Sequence, residues 1–288
     1  MKVLGFGDCC VDYYIDKKTA YPGGNAFNVA YFAGQNGAEA AFIGTISTDV
    51  LGKHIMKCAS DAGIDITHAP IKTGILGRAA VKLVDGERKF ISKFFGDEHG
   101  VGTLYPPMLS QSDLDYISEF DLVHCSCYAH IEDQLERISS LPVLKSFDFS
   151  CEDEYRADAY LEKTCPYIDL AMFSCERLAD DATNELVEKV KAFGCKNVLL
   201  TFGARGQQFI CDSGTYAGSA EMVEAVDTMA AGDSFCAAFI SGLLKRGWHF
   251  GVQPCGSAVA ASLKEASAYS AKNCLVDGSF GHGLYIEY

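Results

Sequence analysis

Short apolar runs alternate with longer amphipathic ones along this chain, and that alternation restricts the fold more than any other feature. Residues 2 to 8 form a strand-length apolar run closed by Gly7-Asp8. Residues 24 to 35 carry Phe27, Val29, Ala30 and Phe32 and read as a helix stopped by Asn36-Gly37. Glu39–Ile43 is the next strand, and Thr48-Asp49 caps a helix that runs through Ala62 and ends at Gly63. Strand, helix and strand in this rhythm favour an α/β fold with a mainly parallel sheet and helices on both faces. The rhythm breaks at Thr73-Gly74. Residues 78 to 84 and 88 to 95 flank Asp85-Gly86, a strong hairpin turn, and such an antiparallel pair belongs off the main sheet. From Ser112 the rhythm returns, with strands over 121 to 125, 143 to 149, 169 to 173 and 197 to 201. A loop and a helix through Glu132 follow the first of these. A helix over 176 to 192 follows the third, and a last helix covers about 254 to 272. No repeat or flexible linker interrupts the 288 residues, so one domain with a small extra sheet is expected.

The most chemically pointed stretch is Asp227-Thr228-Met229-Ala230-Ala231-Gly232-Asp233-Ser234-Phe235. Phe235, Phe239, Leu243 and Leu244 then recur at helical spacing, so a helix starts near Gly232 and ends before Gly247. The first N–H groups of a helix lack intrahelical acceptors, and with the dipole they form a site for an anion such as phosphate. Ala230, Ala231 and Gly232 are small enough to let the anion approach. Asp233 in the first turn can take a proton from a hydroxyl attacking that anion, and the helix dipole is expected to keep it ionised at neutral pH. A second glycine-led helix entry, Gly23-Gly24-Asn25-Ala26-Phe27-Asn28, lets a substrate approach the backbone and offers the amides of Asn25 and Asn28 to hydroxyls. No phosphate-binding G-x-x-x-x-G-K-[ST] occurs. Gly5-Phe6-Gly7 is followed by Cys10 where a dinucleotide fingerprint needs glycine.

A formal charge of −14 argues against nucleic acid or an anionic membrane surface as partner. Apolar residues at 49% and charged residues at 22% suit a globular chain, and no apolar run is long enough to span a bilayer. The 13 cysteines are scattered, and none is spaced C-x-x-C, so they read as reduced core thiols rather than disulfides or a zinc site. The first eight residues lack a secretory pattern, and a cytoplasmic location is expected.

The two glycine-led motifs, in this order and roughly 200 residues apart, resemble the signatures of the ribokinase-like (PfkB-type) sugar kinases. The resemblance spans essentially the whole chain. It implies a ribokinase-like fold, ATP and Mg²⁺ as cosubstrate and metal, and Asp233 as general base. The backbone of Ala230, Ala231, Gly232 and Asp233 would form the anion hole. It implies that Asp12, Gly23, Gly24, Asn25 and Asn28 hold the sugar, and that Thr201, Gly203, Gly206 and Thr228 line the nucleotide. Glu176 matches an acid that helps organise magnesium, although Phe173 stands where the family has Asn. Asp227 and Thr228 match positions beside a monovalent-cation site, so K⁺ stimulation is an expectation. The off-sheet strands, about 12 to 22 and 74 to 96, match a β-lid over the sugar, through which two subunits often pair as a homodimer. Phe90, Phe94 and Phe95 would sit at that interface or under the lid.

Several segments resemble the bacterial fructoselysine 6-kinase branch: Gly7-Asp8-x-Cys10-Val11-Asp12, Asp121-Leu122-Val123-His124, His130-x-Glu132-Asp133 and Phe147-Asp148-Phe149-Ser150. That resemblance implies phosphorylation of the 6-hydroxyl of a fructosamine. Arg78 would meet the substrate carboxylate, Glu132 or Asp133 the ammonium, and His130 would lie nearby. A kinase for a plain sugar or nucleoside, and a non-catalytic sugar- or nucleotide-binding regulator, are the alternatives.

Overall fold

The computed structural model describes residues 1–84, 87–92, 94–96 and 98–288. The Asp85-Gly86 hairpin turn lies outside the described residues. From the N-terminus, β1 (Lys2–Phe6) is followed by β2 (Cys10–Tyr14), β3 (Thr19–Gly23), α1 (Asn25–Gln35), β4 (Glu39–Ile43) and β5 (Ile46–Ser47). Next come α2 (Val50–Ala62), β6 (Ile71–Lys72), β7 (Gly77–Val84), β8 (Glu87–Phe90), α3 (Val101–Leu104) and α4 (Gln111–Ile117). The α/β rhythm resumes with β9 (Leu122–Ser126), α5 (Glu132–Ser139), β10 (Leu144–Asp148), α6 (Asp158–Thr164), β11 (Leu170–Ser174) and α7 (Asp180–Ala192). The chain closes with β12 (Asn197–Thr201), β13 (Gln207–Cys211), β14 (Gly214–Gly218), α8 (Ala231–Lys245), α9 (Gly256–Asn273) and β15 (Leu284–Tyr285).

The main sheet has the order β14-β13-β12-β11-β10-β9-β1-β4. It is parallel from β12 to β4, and β13 and β14 extend it antiparallel. Side chains alternate across it. Phe6, Val123, Phe147, Phe173 and Leu200 face α4 to α7, whereas Val3, Leu122, Leu170, Met172 and Leu199 face α8 and α9. Both faces are covered, as the apolar strands require. β1 sits between β4 and β9, so the chain leaves it in opposite directions. Such a switch point opens a crevice beyond the strands' carboxyl ends, where ligands bind in open α/β sheets.

A second sheet, β15-β3-β2-β7-β8, stands over that crevice's β1 side. β2 and β7 are parallel and the other pairs antiparallel. Its inner face packs on α1 and α2 through Val11, Tyr13, Ala20, Phe27 and Phe280.

Local signals placed several ends well. Asp49 caps α2 by accepting the Gly52 N–H at 2.8 Å, and Gly63 closes that helix in the left-handed region at φ 70°. Other expectations need correction. The helix expected over 176 to 192 starts at Asp180, because Glu176 lies in a turn that returns the chain from β11. The helix expected to run through Glu132 starts there instead, after a 3-10 turn and a left-handed His130. The return strand ends at Phe90 rather than Phe95. β13, β14 and β15 carry no clear apolar alternation and were not expected as strands.

Candidate active site

α8 begins at Ala231, after Ala230 adopts φ 54° and ψ 22°. A non-glycine residue there stores roughly 1–3 kcal/mol of strain, so neighbouring contacts must hold it. Asp227 supplies them. Its buried carboxylate accepts the Tyr14 hydroxyl at 2.6 Å, the Met229 N–H at 2.9 Å and the Gly278 N–H at 3.0 Å. It thereby ties the loop before α8 to β2 and to the C-terminal segment. Through these contacts Asp227 holds a loop, and its expected place beside a cation is not part of them.

The first turn of α8 then points at α1. Asn25 Nδ2 donates to Asp233 Oδ1 at 2.8 Å and Asn28 Nδ2 to Asp233 Oδ2 at 2.6 Å. Asn25 Nδ2 also donates to Asp148 Oδ2 at 2.8 Å, at the end of β10. Gly24, at φ 98°, makes this possible: a Cβ there would lie 2.6 Å from Cys9 Cα, so only glycine starts α1 so close to the β1–β2 loop. Asp8, in that loop, accepts the N–H groups of Asn25 and Ala26 and the Ser126 hydroxyl. Asp12 is a buried strand residue in β2, and a Cβ on Gly23 would sit 2.6 Å from its Oδ2. Glycine at 23 thus leaves room for the Asp12 carboxylate.

Carboxylates therefore gather around Asp233 with only amides between them. Burial, reinforced by the negative charge of Asp148, pushes the Asp233 carboxyl up to about 8, against the helix dipole and the Asn28 bond. Burial likewise raises Asp148 to about 6. The expectation that the dipole keeps Asp233 ionised at neutral pH is corrected: desolvation and like charge outweigh a dipole effect of about 0.3–2 kcal/mol.

The other side of the α8 N-terminus is open. A cavity of about 430 Å³ is lined by Glu176, Thr201, Gly203, Gly206, Thr228, Ala231 and Gly232, with Ser267, Ser270 and Ala271 from α9. A Cβ on Gly232 would meet nothing nearer than Met172 Cε at 3.7 Å, so the room at this helix mouth is kept for something other than protein packing. Ala231 N–H donates to Thr228 O at 3.2 Å, and Ser234 N–H to Ala230 O at 2.9 Å. Glu176 reaches over Gly203, where a Cβ would lie 2.5 Å from its Oε1. Phe173 points to the opposite sheet face, stacked on Phe149 at 4.5 Å, and so takes no part in this cavity.

The structure gathers Asp12, Gly23, Gly24, Asn25, Asn28 and Asp233 on one side and Thr201, Gly203, Gly206, Thr228 and Glu176 on the other. Arg78, Glu132 and Asp133, expected at the amine end of the substrate, are each engaged by another side chain. Arg78 pairs with Glu98, with its guanidinium 4.2 Å from the Phe95 ring centroid and 5.0 Å from that of Tyr288. Glu132 accepts the Tyr160 hydroxyl at 2.6 Å, and Asp133 pairs with Lys163 at 3.0 Å. His130 is an exposed left-handed turn residue. Sequence reasoning gave no role to Asp8, Ser126 or Asp148, although Gly7-Asp8 and Phe147-Asp148 close apolar strands at the crevice rim, which was the available signal.

Comparison with known proteins agrees with this arrangement. Residues 8–280 match the model of the pfkB family carbohydrate kinases. The chain is 34% identical over 286 residues to fructosamine kinase FrlD of Bacillus subtilis, covering 98% of this chain and 94% of the relative. It is 30% identical over 243 residues to fructoselysine 6-kinase of Escherichia coli, covering 84% and 89%. Among solved structures, fructokinase with bound ATP from Xylella fastidiosa superposes with a TM-score of 0.79 at 17% identity, covering 98% and 94% of the two chains. The fold is ribokinase-like, as the sequence led us to expect. This chain belongs to the pfkB family and is a carbohydrate kinase.

Proposed function

We propose that the chain transfers the γ-phosphoryl group of ATP to a primary hydroxyl of a ketose-type sugar, and that the acceptor is the 6-hydroxyl of a fructosamine such as fructoselysine. The observation that carries the reading is the seat of Asp233, between a carboxylate-rich, hydrogen-bonded recess and a 430 Å³ cavity of small residues. Asp233 takes the hydroxyl proton as the oxygen attacks the γ-phosphorus. The bond from that phosphorus to the bridging oxygen breaks, and ADP leaves. The N–H groups of Gly232 and Asp233 stabilise the charge on the transferring group. Asp12, Asn25 and Asn28 orient the sugar hydroxyls. A fructosamine carries an ammonium, and a recess rich in carboxylates favours a cationic acceptor over a neutral hexose. The two relatives named for fructosamine and fructoselysine support the same class.

Among the described residues no group of three or more ligating side chains could hold a metal. Mg²⁺ would be carried mainly on the phosphates, with Glu176 at the cavity edge as its protein contact, and would neutralise phosphate charge. K⁺ stimulation belongs to the Asp227–Thr228 loop, and replacing KCl by NaCl tests it. Pairing of two chains through the second sheet draws on its exposed Phe90, at 62%, and Phe94, at 40%. Among the described residues no helix is long and apolar enough to cross a membrane; a cytoplasmic location is part of the proposal.

The test is a panel of fructoselysine, other fructosamines, fructose, ribose and adenosine with ATP and Mg²⁺, reading ADP release and the phosphorylated position. Fructosamines should give the highest kcat/KM. A plain sugar or nucleoside turned over tenfold better than every fructosamine would overturn the substrate assignment.

A further inference from the structure

His124 is fully buried on β9 and stands behind Asn25, the residue that clamps the base. Its Nε2 lies 2.7 Å from Asn25 Oδ1, and its Nδ1 lies 2.8 Å from Ser146 Oγ on β10. The chemistry gives every hydrogen bond in this chain a direction. Two carboxylates face the far end of the Asn25 amide, so its NH₂ must point at them and its oxygen at His124. An amide oxygen only accepts, so Nε2 carries the proton. Nδ1 is then bare and accepts from the Ser146 hydroxyl.

We infer that Ser146 and His124 form a positioning device that locks the Asn25 amide with its NH₂ toward Asp148 and Asp233. A turned amide would set its oxygen about 2.8 Å from both carboxylates and its NH₂ against the His124 N–H. Asn28, the other amide on Asp233, has no such device: its Oδ1 is buried with no donor among the described residues. Burial holds His124 far below its usual range, at about 3, so the imidazole stays neutral, and above about pH 6 the ionised Asp148 keeps the Asn25 NH₂ turned toward it. The groups facing Asp233 itself are Asp8, Asp12, Asp148, Asn25, Asn28 and the thiols of Cys10 and Cys236.

The activity arm of the test rests on the kinase reading; the spectroscopic arm does not. In ¹⁵N NMR of the intact protein, the His124 imidazole should be a neutral Nε2–H tautomer from pH 7 to 9, where Asp148 is ionised. An Nδ1–H tautomer or a titrating ring overturns the inference whatever the enzyme phosphorylates. With the best acceptor of the panel, His124→Leu should lower kcat roughly 10- to 100-fold, as misplacement of a catalytic group does, with KM for ATP unchanged within about twofold. His124→Gln, whose amide places a donor near Nε2, should recover most of that loss. A Leu variant within about twofold of wild type, or Leu and Gln variants equally impaired, overturns it. Where His124→Leu fails to fold, Ser146→Ala decides: a several-fold lower kcat with mixed His124 tautomers supports the device, and an unchanged kcat with a pure Nε2–H tautomer refutes it.

Discussion

The two sides of the α8 N-terminus are built on opposite plans. On the acceptor side, Asp8, Asn25, Asn28, Asp148 and Asp233 share one hydrogen-bonded assembly. On the proposed nucleotide side, an open cavity is lined in large part by small residues, among them Gly203, Gly206, Ala231, Gly232, Ser267 and Ser270. The difference fits what each side is proposed to handle. A hydroxyl must be brought to one atom with its proton aimed at the base, which calls for rigid, directional groups. A phosphate chain needs charge stabilisation and close approach, which backbone N–H groups and missing side chains supply.

That contrast can be broken from either side. The largest effect is expected from Asp233→Asn, which removes the base and keeps the amide geometry. Turnover should fall about 10²–10⁴-fold while ATP still binds, read by initial rates and by calorimetric titration. Gly232→Val fills the helix mouth without touching the acceptor side. It should raise KM for ATP about 10- to 100-fold and leave KM for the acceptor nearly unchanged; an equal rise in both would erase the distinction between the two sides.

Asp148→Asn acts on the acceptor side alone. The Asp148 charge raises Asp233, so its removal should move the acidic limb of the kcat/KM profile to lower pH by about one unit. The smallest effect is on stability. Asp233 has a native pKa, about 8, far above the unfolded value near 3.8. Its protonated form is favoured by the fold, and stability is lost as pH rises from about 4 to 8. Asp233→Asn should therefore melt a few degrees above wild type at pH 8, with the gap closing toward pH 4, in calorimetric scans.

The same contrast explains what could be read from the sequence. The alternation of strands and helices, the Asp49 cap and the Gly63 stop are local signals, and the parallel sheet with covered faces follows from them. The small residues before α8 and the Gly23-Gly24 entry are also contiguous, so both helix mouths were visible. The acceptor assembly was not. Asp8, Asp148 and His124 come from the ends or middles of apolar strands far apart in sequence, and only the switch-point topology brings them to one residue, Asn25. For the same reason the dipole argument for Asp233 failed: it counted the charge along one helix and missed the carboxylates delivered by other strands. Arg78, Glu132 and Asp133 were assigned by their charge, and the fold had already given each a partner.

The central claim is that Asp233 is the base and that burial, reinforced by neighbouring carboxylates, holds it protonated until pH rises. The most direct measurement is kcat/KM for the best acceptor as a function of pH at saturating Mg²⁺ and ATP. The rate constant should climb nearly tenfold per unit below about pH 7, bend near pH 8 and level off at about pH 9. A profile flat from pH 6 to 9 would contradict the account.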